Sequence, residues 1–178
     1  PSVPGMRLNR ALTARAKAAG VRVVPGSKVT GFRASGGAVD SVQLATAGGD
    51  RDFVADAFVL ATGGFESGAL TADSYHNVHE SVFDLPLRRP EGHLVHGDYW
   101  GDPQPLFTIG VEVDEQMLVR HPGGDPVYTN LYAAGGILAG ATRWQEKSGE
   151  GIAVASAVRA ADSILAAAAT ATDQGAAS

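Results

Sequence analysis

Apolar and polar positions alternate along this chain in several rhythms, and each rhythm predicts a different element. Leu8, Ala11, Leu12, Ala16 and Ala19 recur at helical spacing, which predicts a helix over 5–19 that buries this stripe. Pro4 stands at a first-turn position and Gly20 just past the end, as helix boundaries favour. Residues 21–24 are a short β-branched run and predict a strand, closed by a turn at Pro25-Gly26.

From Lys28 onward the pattern shortens to strand length. Residues 29–33, 39–46 and 52–55 are separated by Ser35-Gly36-Gly37 and Gly48-Gly49-Asp50, which predicts an antiparallel meander. Residues 57–61 are apolar throughout and predict a buried strand that stops at Thr62-Gly63-Gly64. Residues 65–107 are polar, rich in Pro and Gly and without a period, so an irregular insert with short strands or turns is expected. A hairpin is expected from 107–113 and 116–119 around Asp114-Glu115.

After Pro126 and Asn130 a second apolar run, 131–134, predicts another buried strand, which ends in Gly135-Gly136. Gly149 and Gly151 then open a small-residue helix predicted over 150–168, with Val154, Val158, Ala161 and Leu165 on one face. The Ala-rich residues 169–178 are expected to be a disordered tail. The order predicts an α/β fold, organised as one domain over 1–168.

Composition narrows the function. Hydrophobic residues make up 44% of the 178 and suffice for a core. The formal charge of −5, with no basic block, argues against nucleic acid as a partner. Without cysteine the chain offers no disulfide, thiolate zinc site or cysteine-ligated iron–sulfur cluster. No uninterrupted apolar run reaches the ~18 residues of a membrane span. No signal peptide is visible, and Pro1-Ser2-Val3-Pro4 reads as a start internal to a longer protein.

Four of the five histidines lie in the insert, His76 and His79 spaced like His93 and His96. They read as polar surface residues, with a substrate-side acid or base role as the sharper alternative, and no metal site is expected. Arg88-Arg89 offers either a solvated pair or a bidentate phosphate clamp. Trp100 and Trp144 read as packing or interface residues.

The glycine-ended strands carry the chemistry. Glycine lets the backbone turn sharply and approach a ligand with no Cβ in the way. Small residues at the carboxyl ends of buried strands are where open α/β sheets bind ligands. A helix start adds unpaired N–H groups and the positive end of the helix dipole.

Val59-Leu60-Ala61-Thr62-Gly63-Gly64, Gly110-Val111-Glu112-Val113-Asp114 and Asn130-Leu131-Tyr132-Ala133-Ala134-Gly135-Gly136, in this order, resemble the later portion of two-dinucleotide-fold flavoproteins of the fumarate-reductase and glutathione-reductase type. Pro1 to Leu8, Gly64-Phe65 to Gly68, Gly97-Asp98-Tyr99 with Pro103-Gln104-Pro105, and Phe107 to Asp114 bring the resemblance closer to the C-terminal part of the B subunits of anaerobic glycerol-3-phosphate dehydrogenases. The resemblance implies an FAD/NAD(P)-binding Rossmann-like three-layer fold lacking its first βαβ unit. It also implies a bound flavin, FMN or FAD. The activity implied is oxidation of glycerol 3-phosphate to dihydroxyacetone phosphate, with electrons passed to quinone. The implied partners are a catalytic flavoprotein subunit and an iron–sulfur subunit, which would hold the protein at the cytoplasmic face of the membrane.

By the same resemblance Ala61, Thr62, Gly63 and Gly64 approach the cofactor by backbone; Val29 reads first as a strand core residue, with a place beside the adenine end as the sharper alternative. Gly135 and Gly136 pass the ribityl chain. Ser148, Gly149, Glu150, Gly151 and Ile152 offer N–H groups to the flavin pyrimidine edge; Lys147 reads as an ordinary solvated lysine, with a further positive charge at that edge as the sharper alternative.

Two departures stand out. The Gly-x-Gly-x-x-Gly turn that holds a pyrophosphate is absent, since no strand runs directly into Gly149-Glu150-Gly151. Gly136 stands where many such flavoproteins carry an acidic ribityl ligand. The rival expectations are a different fumarate-reductase-type oxidoreductase and a non-catalytic assembly subunit with a degenerate flavin site.

Overall fold

A computed structural model describes residues 2–98, 101–102, 104–143 and 147–176. Trp100 and Trp144 lie outside these residues, as do Tyr99 and Pro103. The chain opens with helix α1 (Val3–Ala18), whose N-cap Ser2 accepts a hydrogen bond at Oγ from the Gly5 N–H at 3.2 Å. Arg15 and Lys17 stand in its last turn, where the helix dipole favours cations.

The expected buried stripe of α1 is a correction: no residue of the helix is buried, and Leu8 and Leu12 face solvent. The expected strand over 21–24 is another. These residues form no strand, and residues 21–23 are exposed, because no described strand lies alongside to take their backbone hydrogen bonds.

The meander forms as the alternation predicts: β1 (Lys28–Ser35), β2 (Ala38–Thr46) and β3 (Gly49–Val54) pair antiparallel in that order. Its inner face packs Phe32 against Phe83 and Tyr128, with ring centroids 4.8 and 5.9 Å apart. Strand β4 (Phe58–Leu60) follows. The insert holds three short strands, β5 (Leu70–Ala72), β6 (Val78–Glu80) and β7 (Leu87–Arg88). Strands β8 (Gly110–Val113) and β9 (Val119–Arg120) make the expected hairpin, with 105–108 in a 3-10 turn rather than strand.

Strand β10 (Leu131–Ala133) positions the site. It runs parallel to β4, with Leu131 opposite Phe58, Tyr132 opposite Val59 and Ala133 opposite Leu60. Both strands therefore end at the same edge. Leu131, Ala133, Val111, Val119 and Ile137 are fully buried around this pair.

Asn130 ties the meander to it. Its side chain accepts from the Val39 N–H at 2.8 Å and donates to the Val39 and Asp56 carbonyls at 2.8 and 3.2 Å. Helix α2 (Gly149–Ala176) then packs against β10 and the 135–137 turn.

Helix α2 departs from expectation twice. It continues through Ala176, in place of the disordered tail expected beyond 168, because the Ala-rich sequence contains no residue that stops a helix before Gly175. Its buried face is Ser156 and Ala160, while Val154, Val158 and Leu165 point outward. By length and composition alone, residues 149–172 of this helix could cross a membrane. Arg159 and Asp162 sit in the middle of that span.

Candidate functional site

In-register parallel pairing of β4 and β10 delivers two glycine-bearing corners to one place. A Cβ built on Gly64 would lie 3.2 Å from the Gly136 carbonyl oxygen, so the corners touch. Both line an open groove of about 350 Å³, together with Phe65, Phe107, and Gly149 and Glu150 at the start of α2. The Phe65 and Phe107 rings meet edge to face, with centroids 6.4 Å apart. The groove thus combines bare backbone, two aromatic rings and a helix N-terminus.

Small side chains hold these corners in shape. The Ser67 hydroxyl hydrogen-bonds the Thr62 and Gly64 carbonyls at 2.5 and 3.0 Å. Gly63 has φ +84, and a Cβ there would strike Ser67 Oγ at 2.5 Å. That position therefore needs glycine for conformation and for space. On the other corner, Gly135 has φ +77 and donates its N–H to Ser156 Oγ at 2.8 Å. Ser156 in turn donates to the Ile152 carbonyl at 2.5 Å. One buried serine thus fixes the glycine turn to the first turns of α2.

Charge enters through a pair far apart in sequence. Arg143 Nη2 lies 2.8 Å from Glu66 Oε2. Glu66's own backbone N–H, and after it the Arg143 hydrogen bond, hold this carboxyl below its ordinary range, against a smaller upward effect of burial. Lys147 and Glu150 also line the groove.

The residues expected from sequence divide into four groups. Gly64, Gly136, Gly149 and Glu150 line the groove. Gly63, Gly135, Ser148 and Ile152 shape its walls: Ile152 donates its N–H to the Ser148 carbonyl at 2.9 Å, starting the helix. Val29 and Thr62 instead border a separate cavity of about 150 Å³ beneath the meander. Ala61 and Gly151 are exposed and line neither.

Sequence reasoning missed Arg143, Glu66, Ser67, Ser156 and Phe107. The polar residue at 156 within an apolar helix was the one available signal. Among the described residues, no cluster of His, Asp and Glu could hold a metal ion. His79 is 3.7 Å from Asp84, and His96 contacts Gln104.

The family model described as "FAD binding domain" matches residues 1–152. The chain belongs to the FAD binding domain family. The α/β architecture here is thus that of an FAD-binding Rossmann-like fold, and the cofactor is a flavin. Among curated proteins the chain is 34% identical over 172 residues to the B subunit of anaerobic glycerol-3-phosphate dehydrogenase from Pectobacterium carotovorum, covering 93% of this chain and 38% of that one. The probable B subunit of the same enzyme from Halobacterium salinarum is 32% identical over 157 residues, covering 87% of this chain and 36% of its own. The Haemophilus influenzae B subunit is 30% identical over 174 residues, at 93% and 39% coverage. The chain therefore spans well under half the length of these relatives. No solved structure matches it.

The groove fits part of a flavin. Gly64 and Gly136, with the Arg143 guanidinium lying against both, offer a flat ring a surface, and Gly149 and Glu150 bring the positive end of a long helix to the same groove. The described residues include no glycine-rich strand-to-helix turn for a pyrophosphate.

Proposed function

We propose that this chain is the isoalloxazine-side part of the flavin site in the B subunit of an anaerobic glycerol-3-phosphate dehydrogenase. The observation that supports it is the meeting of the two strand-end glycine corners with the start of α2 on one groove. The names of the relatives supply the substrate.

When bound, the flavin supplies a two-electron acceptor for oxidising an alcohol carbon to a ketone. The chain's own residues bind and orient. Gly64 and Gly136 seat the ring by backbone, and Ser67 and Ser156 hold both corners at fixed spacing. The first-turn N–H groups of α2 face the pyrimidine edge. Phe65 and Phe107 keep water from one side of the groove.

On this reading the protein oxidises glycerol 3-phosphate to dihydroxyacetone phosphate and its electrons reach quinone. A catalytic flavoprotein subunit and an iron–sulfur subunit complete the complex, at the cytoplasmic face of the membrane. Val29 remains assigned to the cofactor's adenine end, Ala61 and Thr62 to backbone contact with the cofactor, and Gly151 to the pyrimidine edge.

The test is turnover by the full protein with its partner subunits and an artificial electron acceptor. Reduction of the acceptor by glycerol 3-phosphate is expected, with no reduction of fumarate by a reduced dye. Activity on fumarate alone would replace this reading with the fumarate-reductase one. A well-folded preparation that stays colourless after incubation with FAD or FMN would leave an assembly role.

A further inference from the structure

The groove carries a charged device that its glycines do not explain. An ideal Cβ on Gly136 would lie 2.6, 2.7 and 2.8 Å from Arg143 Cζ, Nη1 and Nε, and one on Gly64 would lie 3.0 Å from Arg143 Nη2. The guanidinium therefore lies against both glycine corners, in the space a side chain at 136 would take. It precedes α2 in sequence but is held from the opposite corner, by the Glu66 carboxylate at 2.8 Å.

Of the groove's four charged side chains, Glu66, Arg143, Lys147 and Glu150, the Arg143 guanidinium supplies the nearest atom to a Cβ at either corner.

We propose that Arg143 offsets the negative charge that the flavin gains on reduction, and that Glu66 sets how much of its positive charge the flavin experiences. The inference rests on the flavin site proposed above. Uptake of a hydride, two electrons with one proton, adds one negative charge to the ring. A guanidinium beside the ring binds that form more tightly than the oxidised one, and a carboxylate paired with it weakens the preference. The pair therefore tunes the cofactor's midpoint potential, and its two members act in opposite directions.

Opposite signs separate a charge effect from mere support of the fold. The test is the midpoint potential of FAD in the full protein, by equilibrium dye titration, for wild type, Arg143→Gln, Arg143→Lys and Glu66→Gln. Arg143→Gln should weaken binding of reduced relative to oxidised FAD about tenfold, which is about 30 mV downward for a two-electron couple. Glu66→Gln should move the potential upward, and Arg143→Lys should recover part of the loss.

Equal potentials in all four proteins, or shifts of one sign in Arg143→Gln and Glu66→Gln, would overturn the proposal. Should Arg143→Gln not fold, Glu66→Gln decides alone: an upward shift supports the proposal and any other result overturns it. Absence of bound FAD from the wild type would instead remove the underlying flavin site, an outcome distinct from an unshifted potential.

Discussion

Single residues set the geometry of the groove. Ser156 is buried, and its hydroxyl is the acceptor for the Gly135 N–H. Ser156→Ala leaves that buried donor unpaired, and a loss of about 1–3 kcal/mol is expected by urea denaturation. Gly110 is a harsher case. A Cβ there would come within 2.5–2.6 Å of Ile137 O, Ala139 N and Leu138 C, all backbone. No side chain can move to make room, so Gly110→Ala should cost about 1–3 kcal/mol through overpacking.

Glu66 gives a pH signature. Its folded pKa lies below the ordinary 4.5. The pair's contribution to stability is therefore complete above the unfolded value and fades as pH falls through the folded one. The side chain is 65% exposed, so the effect is small. Wild type should melt slightly above Glu66→Gln at pH 7, with the gap closing well below pH ~4. A gap that widens in acid would contradict this assignment.

At the scale of elements, strand positions were legible because strand signals are local. Gly-rich turns bracket each run of the meander, and alternation does the rest. The two apolar runs ending in glycine became β4 and β10, and their shared edge follows from parallel register. Helix faces were less legible. In α2 small and apolar residues surround the axis, so periodicity alone points equally well to Val158 or to Ala160. Packing against the 135–137 turn selects the face with Ser156 and Ala160, which can approach closely.

Two substitutions in one helix test which face is buried. Val158→Lys on the outer face should change stability by less than about 0.5 kcal/mol. Ala160→Leu on the inner face should cost about 1–3 kcal/mol. Thermal melts of both variants would check it. The Arg143–Glu66 pair was illegible for another reason: 77 residues separate its members, and only the meeting of the two corners brings them together.

Across the whole molecule, a parallel pair, a meander and a long helix place the proposed flavin groove at one edge. The faces of α1, of 21–24 and of the outer side of α2 carry exposed Leu8, Leu12, Val21, Val158 and Leu165. These are the elements whose expected burial did not occur, and the chain spans only 36–39% of its relatives' lengths. Burial predicted from periodicity presumes a partner surface, and the described residues provide none for these faces.

All of this turns on the ring of the flavin sitting against the joined Gly64 and Gly136 corners, over the start of α2. A crystal structure of the full protein with FAD bound measures this directly. The isoalloxazine is expected against the groove face made by Gly64, Gly136 and the Arg143 guanidinium, its pyrimidine edge toward the Gly149 and Glu150 N–H groups. A ring bound elsewhere, for instance in the cavity beside Val29 and Thr62, would contradict it.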